Sequence, residues 1–113
     1  DERVRPLIVQ ALRNAGFHVE SFTTCAAAAS VFERNPAGWA VALLEFSTTE
    51  DAPGCAHVLR RTTPTLPVLL LTSNPADASG NFADAHTRVL LKPFTVGSLR
   101  SALSDLLKQP APR

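Results

Sequence analysis

Apolar residues follow two rhythms along this chain, and their alternation predicts the architecture. Val4, Leu7, Ile8, Ala11, Leu12 and Ala15 recur at spacings of three and four, the stripe of a helix packed on one face, over residues 2–15. Arg3, Arg5, Arg13 and Asn14 lie off that stripe. Pro6 falls in the first turns, where little intrahelical bonding is lost, and Gly16 stands where a helix would stop. Phe17, Val19 and, less cleanly, Phe22 alternate over a short predicted strand. Thr24 is placed to cap a second helix from Cys25 to about Arg34, whose run Ala26 to Ala29 suits close packing on a sheet. Asn35-Pro36-Ala37-Gly38 breaks it.

The second half turns to continuous apolar runs. Ala40 to Leu44 reads as a buried strand ending in Glu45, followed by a turn-rich loop over Ser47 to Gly54 and a short helix over Ala56 to Arg61. A proline-bounded connection, Thr62 to Pro67, leads into Val68-Leu69-Leu70-Leu71, which ends in Thr72-Ser73. Residues Asn74 to His86 read as loop and a short fourth helix. Val89 to Leu91 forms another buried strand, ending in Lys92-Pro93. Thr95 opens a last helix, about Val96 to Lys108, with Val96, Leu99, Leu103 and Leu106/Leu107 on one side. Residues 1–108 make one domain, and 109–113, with two prolines, a frayed tail. Apolar strands alternating with helices imply an α/β fold with a parallel sheet covered on both faces. In such sheets the binding crevice lies at the carboxyl ends of the strands. Glu45, Thr72 and Lys92 therefore gather at one edge.

Composition narrows the function classes. The chain has 113 residues, 45% hydrophobic and 19% charged, which supports one compact core. A net charge of +1 with scattered basic residues argues against direct binding to nucleic acid or an anionic membrane. No apolar stretch reaches membrane-spanning length and no signal peptide opens the chain. Cys25 and Cys55 lack metal-ligand spacing and read as reduced thiols, which favours a cytoplasmic setting. His18, His57 and His86 are scattered over different elements and read as surface residues; Trp39, before a strand, reads as a packing residue.

Pro67-Val-Leu-Leu-Leu-Thr72, followed about twenty residues later by Leu91-Lys92-Pro93-Phe94-Thr95, resembles the receiver domain of bacterial response regulators, the phosphoacceptor module of two-component signalling. The resemblance covers nearly the whole chain and is supported by Ala15-Gly16-Phe17 and Leu59-Arg60-Arg61; the Lys-Pro-Phe-Thr ending is similar to receivers of hybrid sensor histidine kinases. It implies a flavodoxin-like (βα)5 fold with strand order 2-1-3-4-5. It also implies a site in which an aspartate takes a phosphoryl group from a phosphohistidine while Mg²⁺, a hydroxyl and a lysine neutralise the charge. On this chain the phosphoacceptor position is Glu45, the hydroxyl Thr72, the anion partner Lys92, and the cis proline Pro93.

Three departures shape the expectation. Glutamate carries its carboxylate on a stem longer by about 1.5 Å, in a kind of site where about 1 Å of misplacement costs roughly 10²-fold. Phosphorylation is therefore expected to be impaired, with the Glu45 carboxylate reaching toward Lys92 and Thr72. Val89 stands where the family usually has a switch aromatic. The family's first strand and its acidic metal-binding pair do not appear in residues 1–113: either the sequence is incomplete at its N-terminus, or another chain fills the slot. Spacing back from Val4 places that pair just before Asp1, with Asp1 and Glu2 as the alternative, a remnant of it; Asp1 and Glu45 are the candidate Mg²⁺ ligands, the loss of the pair counting against the ion.

The resemblance thus implies a regulatory domain, not an enzyme in its own right, that engages a histidine kinase, a phosphotransfer domain or an attached output domain. The output face would include Ala76 to His86, Arg88 and Ser98, Arg100 and Ser101, and could also join two copies. The alternatives are a working phosphoacceptor at Glu45 and a flavodoxin-like cofactor binder. The second is weakened because five glycines form no Gly-rich phosphate loop.

Overall fold

The computed structural model describes residues 4–45, 52–74 and 86–107. They form four α-helices, α1 (Val4–Asn14), α2 (Cys25–Arg34), α3 (Ala52–Arg60) and α4 (Val96–Leu107), and three strands, β1 (Ala42–Glu45), β2 (Val68–Thr72) and β3 (Thr87–Leu91), with a 3-10 turn at Pro36–Gly38. The strands are parallel, in the order β1-β2-β3, with Leu43 beside Leu69 and Leu69 beside Arg88. This is the expected α/β class with a parallel sheet.

The central strand explains the layering. Every residue of β2 is buried, as a strand covered on both faces requires. Successive side chains of a strand point to opposite faces. Val68 and Leu70 accordingly join Ala29 and Phe32 of α2 and Ala52, Cys55, Ala56 and Leu59 of α3 in one core. Leu69 and Leu71 join Leu12 of α1 and Leu99, Leu103 and Leu106 of α4 in the other. The stripes are narrower than the periodicity implies. Leu7 is 69% exposed and Val96 55%, because Ile8 and Leu12 on α1 and the Leu99-Leu103-Leu106 set on α4 are sufficient to cover the sheet.

Local chemistry sets the helix ends. Gly16 takes a positive φ of 96°, and the Gly16 and Phe17 N–H groups donate to the Arg13 and Leu12 carbonyls, closing α1 with a Schellman motif. The Thr24 hydroxyl accepts from the Ala27 N–H at 3.1 Å and caps α2. Thr95 and Ser98 exchange side-chain and backbone hydrogen bonds at 3.0 Å at the head of α4, a reciprocal cap.

Three expectations are corrected. Residues 17–22 form no strand; their alternation finds no neighbouring strand to pair with. Helix α3 begins at Ala52, four residues before Ala56, because Pro53 is compatible with a first helical turn. Cys25 and Cys55 are not reduced thiols but form a disulfide, with Cα atoms 5.8 Å apart, since the fold sets the heads of α2 and α3 side by side. The thiol-based argument for a cytoplasmic setting falls with that correction. By chain entropy the link is worth about 3–4 kcal/mol for a loop of this length. The expected fourth helix over Asn74 to His86 lies largely outside the described residues, and the 109–113 tail wholly so. No helix among the described residues is long and apolar enough to cross a membrane.

Candidate functional site

Parallel register brings three strand ends to one edge. Glu45 pairs with Leu71, one residue before Thr72, and Thr72 pairs with Leu91, one residue before Lys92. The Lys92 N–H donates to the Thr72 carbonyl at 2.7 Å, extending the ladder by one step. Glu45 and Lys92 stand two strands apart, about 10 Å between backbones. Two long side chains are needed to meet across that span, and they do: the Lys92 ammonium donates to the Glu45 carboxylate in a half-buried ion pair.

Burial works to raise the Glu45 pKa, but the hydrogen bond and charge of Lys92 work against it, and the net direction is down from the ordinary 4.5. Thr72 is 2% exposed, and its hydroxyl accepts from the Asn74 N–H at 3.1 Å, bracing the turn that leaves β2. The Lys92–Pro93 peptide bond is cis. The structure thus brings Glu45, Thr72, Lys92 and Pro93 to one edge, with Glu45 and Lys92 in contact. Asp1 lies outside the described residues, as does the expected output face from Ala76 to Ala85. Arg100 and Ser101 are exposed on α4, and Ser98 is partly buried.

Mg²⁺ requires convergent oxygen ligands. Among the described residues no group of three or more His, Cys, Asp or Glu gathers to hold a metal. The Glu45 carboxylate is moreover engaged by an ammonium. The described residues do not fit the ion.

Beside this edge lies a cavity of about 590 Å³, lined by residues 17–24, by every residue from Val41 to Glu45, and by Arg5, Ile8, Val9 and Leu12 of α1. β1 is one of the sheet's two edge strands among the described residues.

The crystal structure of a response regulator receiver protein from Sinorhizobium medicae WSM419 superposes on this chain with a TM-score of 0.76. The match covers 91% of this chain and 85% of that one at 24% sequence identity. The chain has a receiver fold. No protein-family model matches it, and no curated protein does. At 24% identity the likeness carries the architecture alone. Within the receiver fold, Glu45, Thr72 and Lys92 occupy the ends of successive parallel strands.

The Cys25–Cys55 bond is the feature that sequence reading missed. A separation of 30 residues carries no pairing signal, and only the alignment of α2 with α3 supplies one.

Proposed function

We propose that this chain is a receiver-like regulatory domain of a two-component or phosphorelay system, in which phosphorylation is impaired and action proceeds through protein–protein contact. The observation that carries the reading is the Glu45–Lys92 ion pair at the carboxyl edge of the sheet. Receiver chemistry needs a free carboxylate as acceptor and a lysine free to meet the phosphoryl oxygens. Here each neutralises the other. A carboxylate whose charge is held by an ammonium is a poorer nucleophile, and its longer stem puts it about 1.5 Å from the place an aspartate would occupy.

On this reading Thr72 is the hydroxyl of the switch, and Pro93 orients the lysine that precedes it. Mg²⁺ has no assigned role, because the described residues do not fit it. The partners are a histidine kinase, a phosphotransfer domain, an attached output domain or a second copy, met through β3 and α4. Resemblance to receivers of hybrid sensor kinases makes an attached kinase the first partner to try. The complete domain is (βα)5 with sheet order 2-1-3-4-5: one strand lies in the cavity lined by β1 and residues 17–24, and residues 17–22 pair with it as the fifth. The compartment is cytoplasmic, where two-component phosphotransfer takes place.

Incubating the chain with acetyl phosphate and Mg²⁺, then measuring intact mass, tests the reading. The expected result is no phosphoryl adduct; a stoichiometric gain of one phosphoryl group overturns it and makes Glu45 a working acceptor.

A further inference from the structure

Cys25 and Cys55 sit in unequal surroundings, and the inequality bears on chemistry. Cys25 is the first residue of α2, directly after the Thr24 cap, and is partly exposed. Cys55 lies one turn into α3 and is 6% exposed within the core that also holds Phe32, Ala56 and Leu59. The bond therefore ties the heads of two helices. Both heads lie near the edge that carries Glu45: the end of β1 leads to α3 through residues 46–51, and Thr24, Cys25, Glu45, Ala52 and Cys55 line one cavity.

Residues 17–24 make no strand, so the 17–34 region joins the body through the partly buried Phe17 and Val19, through Ala29 and Phe32 in the core, and through this bond, the one covalent tie among these contacts. Two thiols in place of the bond would leave the packing and remove the covalent tie.

We propose that Cys25–Cys55 is a thiol–disulfide switch that sets the rigidity of α2 and the head of α3 beside the Glu45 edge. The co-reactant is a small dithiol. Its thiolate attacks the more exposed Cys25 sulfur, a sulfur–sulfur bond forms, and the Cys55 sulfur leaves as a thiolate that takes up a proton. The second thiol of the reductant then displaces Cys25. The protein gains two electrons and two protons, and the reductant becomes a disulfide. The inference borrows its compartment from the receiver reading, since cytoplasmic disulfides are usually ones that open and close. The thiol measurements below stand whether or not that reading survives the phosphorylation assay.

The test uses the whole chain, with dithiothreitol as the reductant and iodoacetamide as the trap. The untreated native chain should resist alkylation. After dithiothreitol without denaturant it should accept two adducts by intact mass. The reduced chain should remain folded, with a Tm lower by roughly 10–20 °C. Amide exchange in 25–34 should be faster by about tenfold or more, while β2 stays protected. Cys25→Ser should show the same loosened α2 without reductant. Two adducts on the untreated chain would overturn the proposal, since no bond would then exist. So would a bond that dithiothreitol opens only in denaturant, or exchange in 25–34 that reduction leaves unchanged.

Discussion

The carboxylate of Glu45 and the ammonium of Lys92 meet across β2 only because both side chains are long. That contact has a consequence for stability that pH can read. The folded carboxyl ionises below its ordinary 4.5, so as pH falls the unfolded chain takes up the proton first. The contribution of the ionised pair is therefore fully present above about 4.5 and is lost as pH drops through the folded pKa. For a half-buried pair it is worth about 1 kcal/mol. Glu45→Gln keeps the shape and removes the charge. In urea denaturation the wild type should exceed Glu45→Gln by about that amount near neutral pH, and the gap should narrow as pH falls below the ordinary carboxylate range. A gap that does not change with pH would mean that the ion pair contributes nothing of its own. At this scale the sequence was legible where a residue ends a strand, since Glu45, Thr72 and Lys92 each follow an apolar run. It was illegible where a residue's partner lies far along the chain, as with Cys25 and Cys55.

Elements differ in how far their own residues determine them. α2 carries its cap in Thr24 and its stop in Asn35 and Pro36, so its limits could be read directly. The β2 run of four apolar residues could hardly be anything but a central strand. Residues 17–22 carry alternating apolar character too, yet a strand exists only with a neighbour to pair with, and propensity cannot supply one. Tertiary hydrogen bonding was equally hidden. The Arg60 side chain leaves α3 and donates from Nε and Nη2 to the Leu66 carbonyl, at 3.1 and 2.9 Å, and from Nη2 to the His86 carbonyl at 2.9 Å. One guanidinium thus fastens the helix to the approaches of both β2 and β3, away from the Glu45 edge. Arg60→Met keeps much of the stem but removes the guanidinium donors from the Leu66 and His86 carbonyls, the latter keeping the Val68 N–H at 2.8 Å. The expected cost is about 1.5–3 kcal/mol by denaturant midpoint, with the Glu45 pH profile unchanged. A loss below about 0.5 kcal/mol would show that water replaces the fork.

Across the described residues both faces of the sheet are filled, whereas β1 and β3 each pair on one side only. β2 pairs on both sides and contributes to both cores. Among the described residues β1 pairs with β2 alone, and it lines the 590 Å³ cavity together with residues 17–24. Cooperativity should follow that asymmetry. Amides held in a doubly paired, fully buried strand open only with the entire fold, whereas segments with few buried contacts open at smaller free energies. In the oxidised chain, the amides of Leu69, Leu70 and Leu71 should exchange at the rate set by global unfolding. Those of Val19 to Phe22 should exchange far sooner, by about 100-fold or more. Supplying the proposed missing strand, on a longer polypeptide or as a separate apolar peptide, should bring residues 19–22 and 42–44 toward the protection of β2 together. Both walls contact the same slot, so both gain from one occupant. Equal protection of 19–22 and 69–71 in the chain of 113 residues would instead mean that the slot is already closed in solution. The (βα)5 completion proposed for this domain would then have no place to enter.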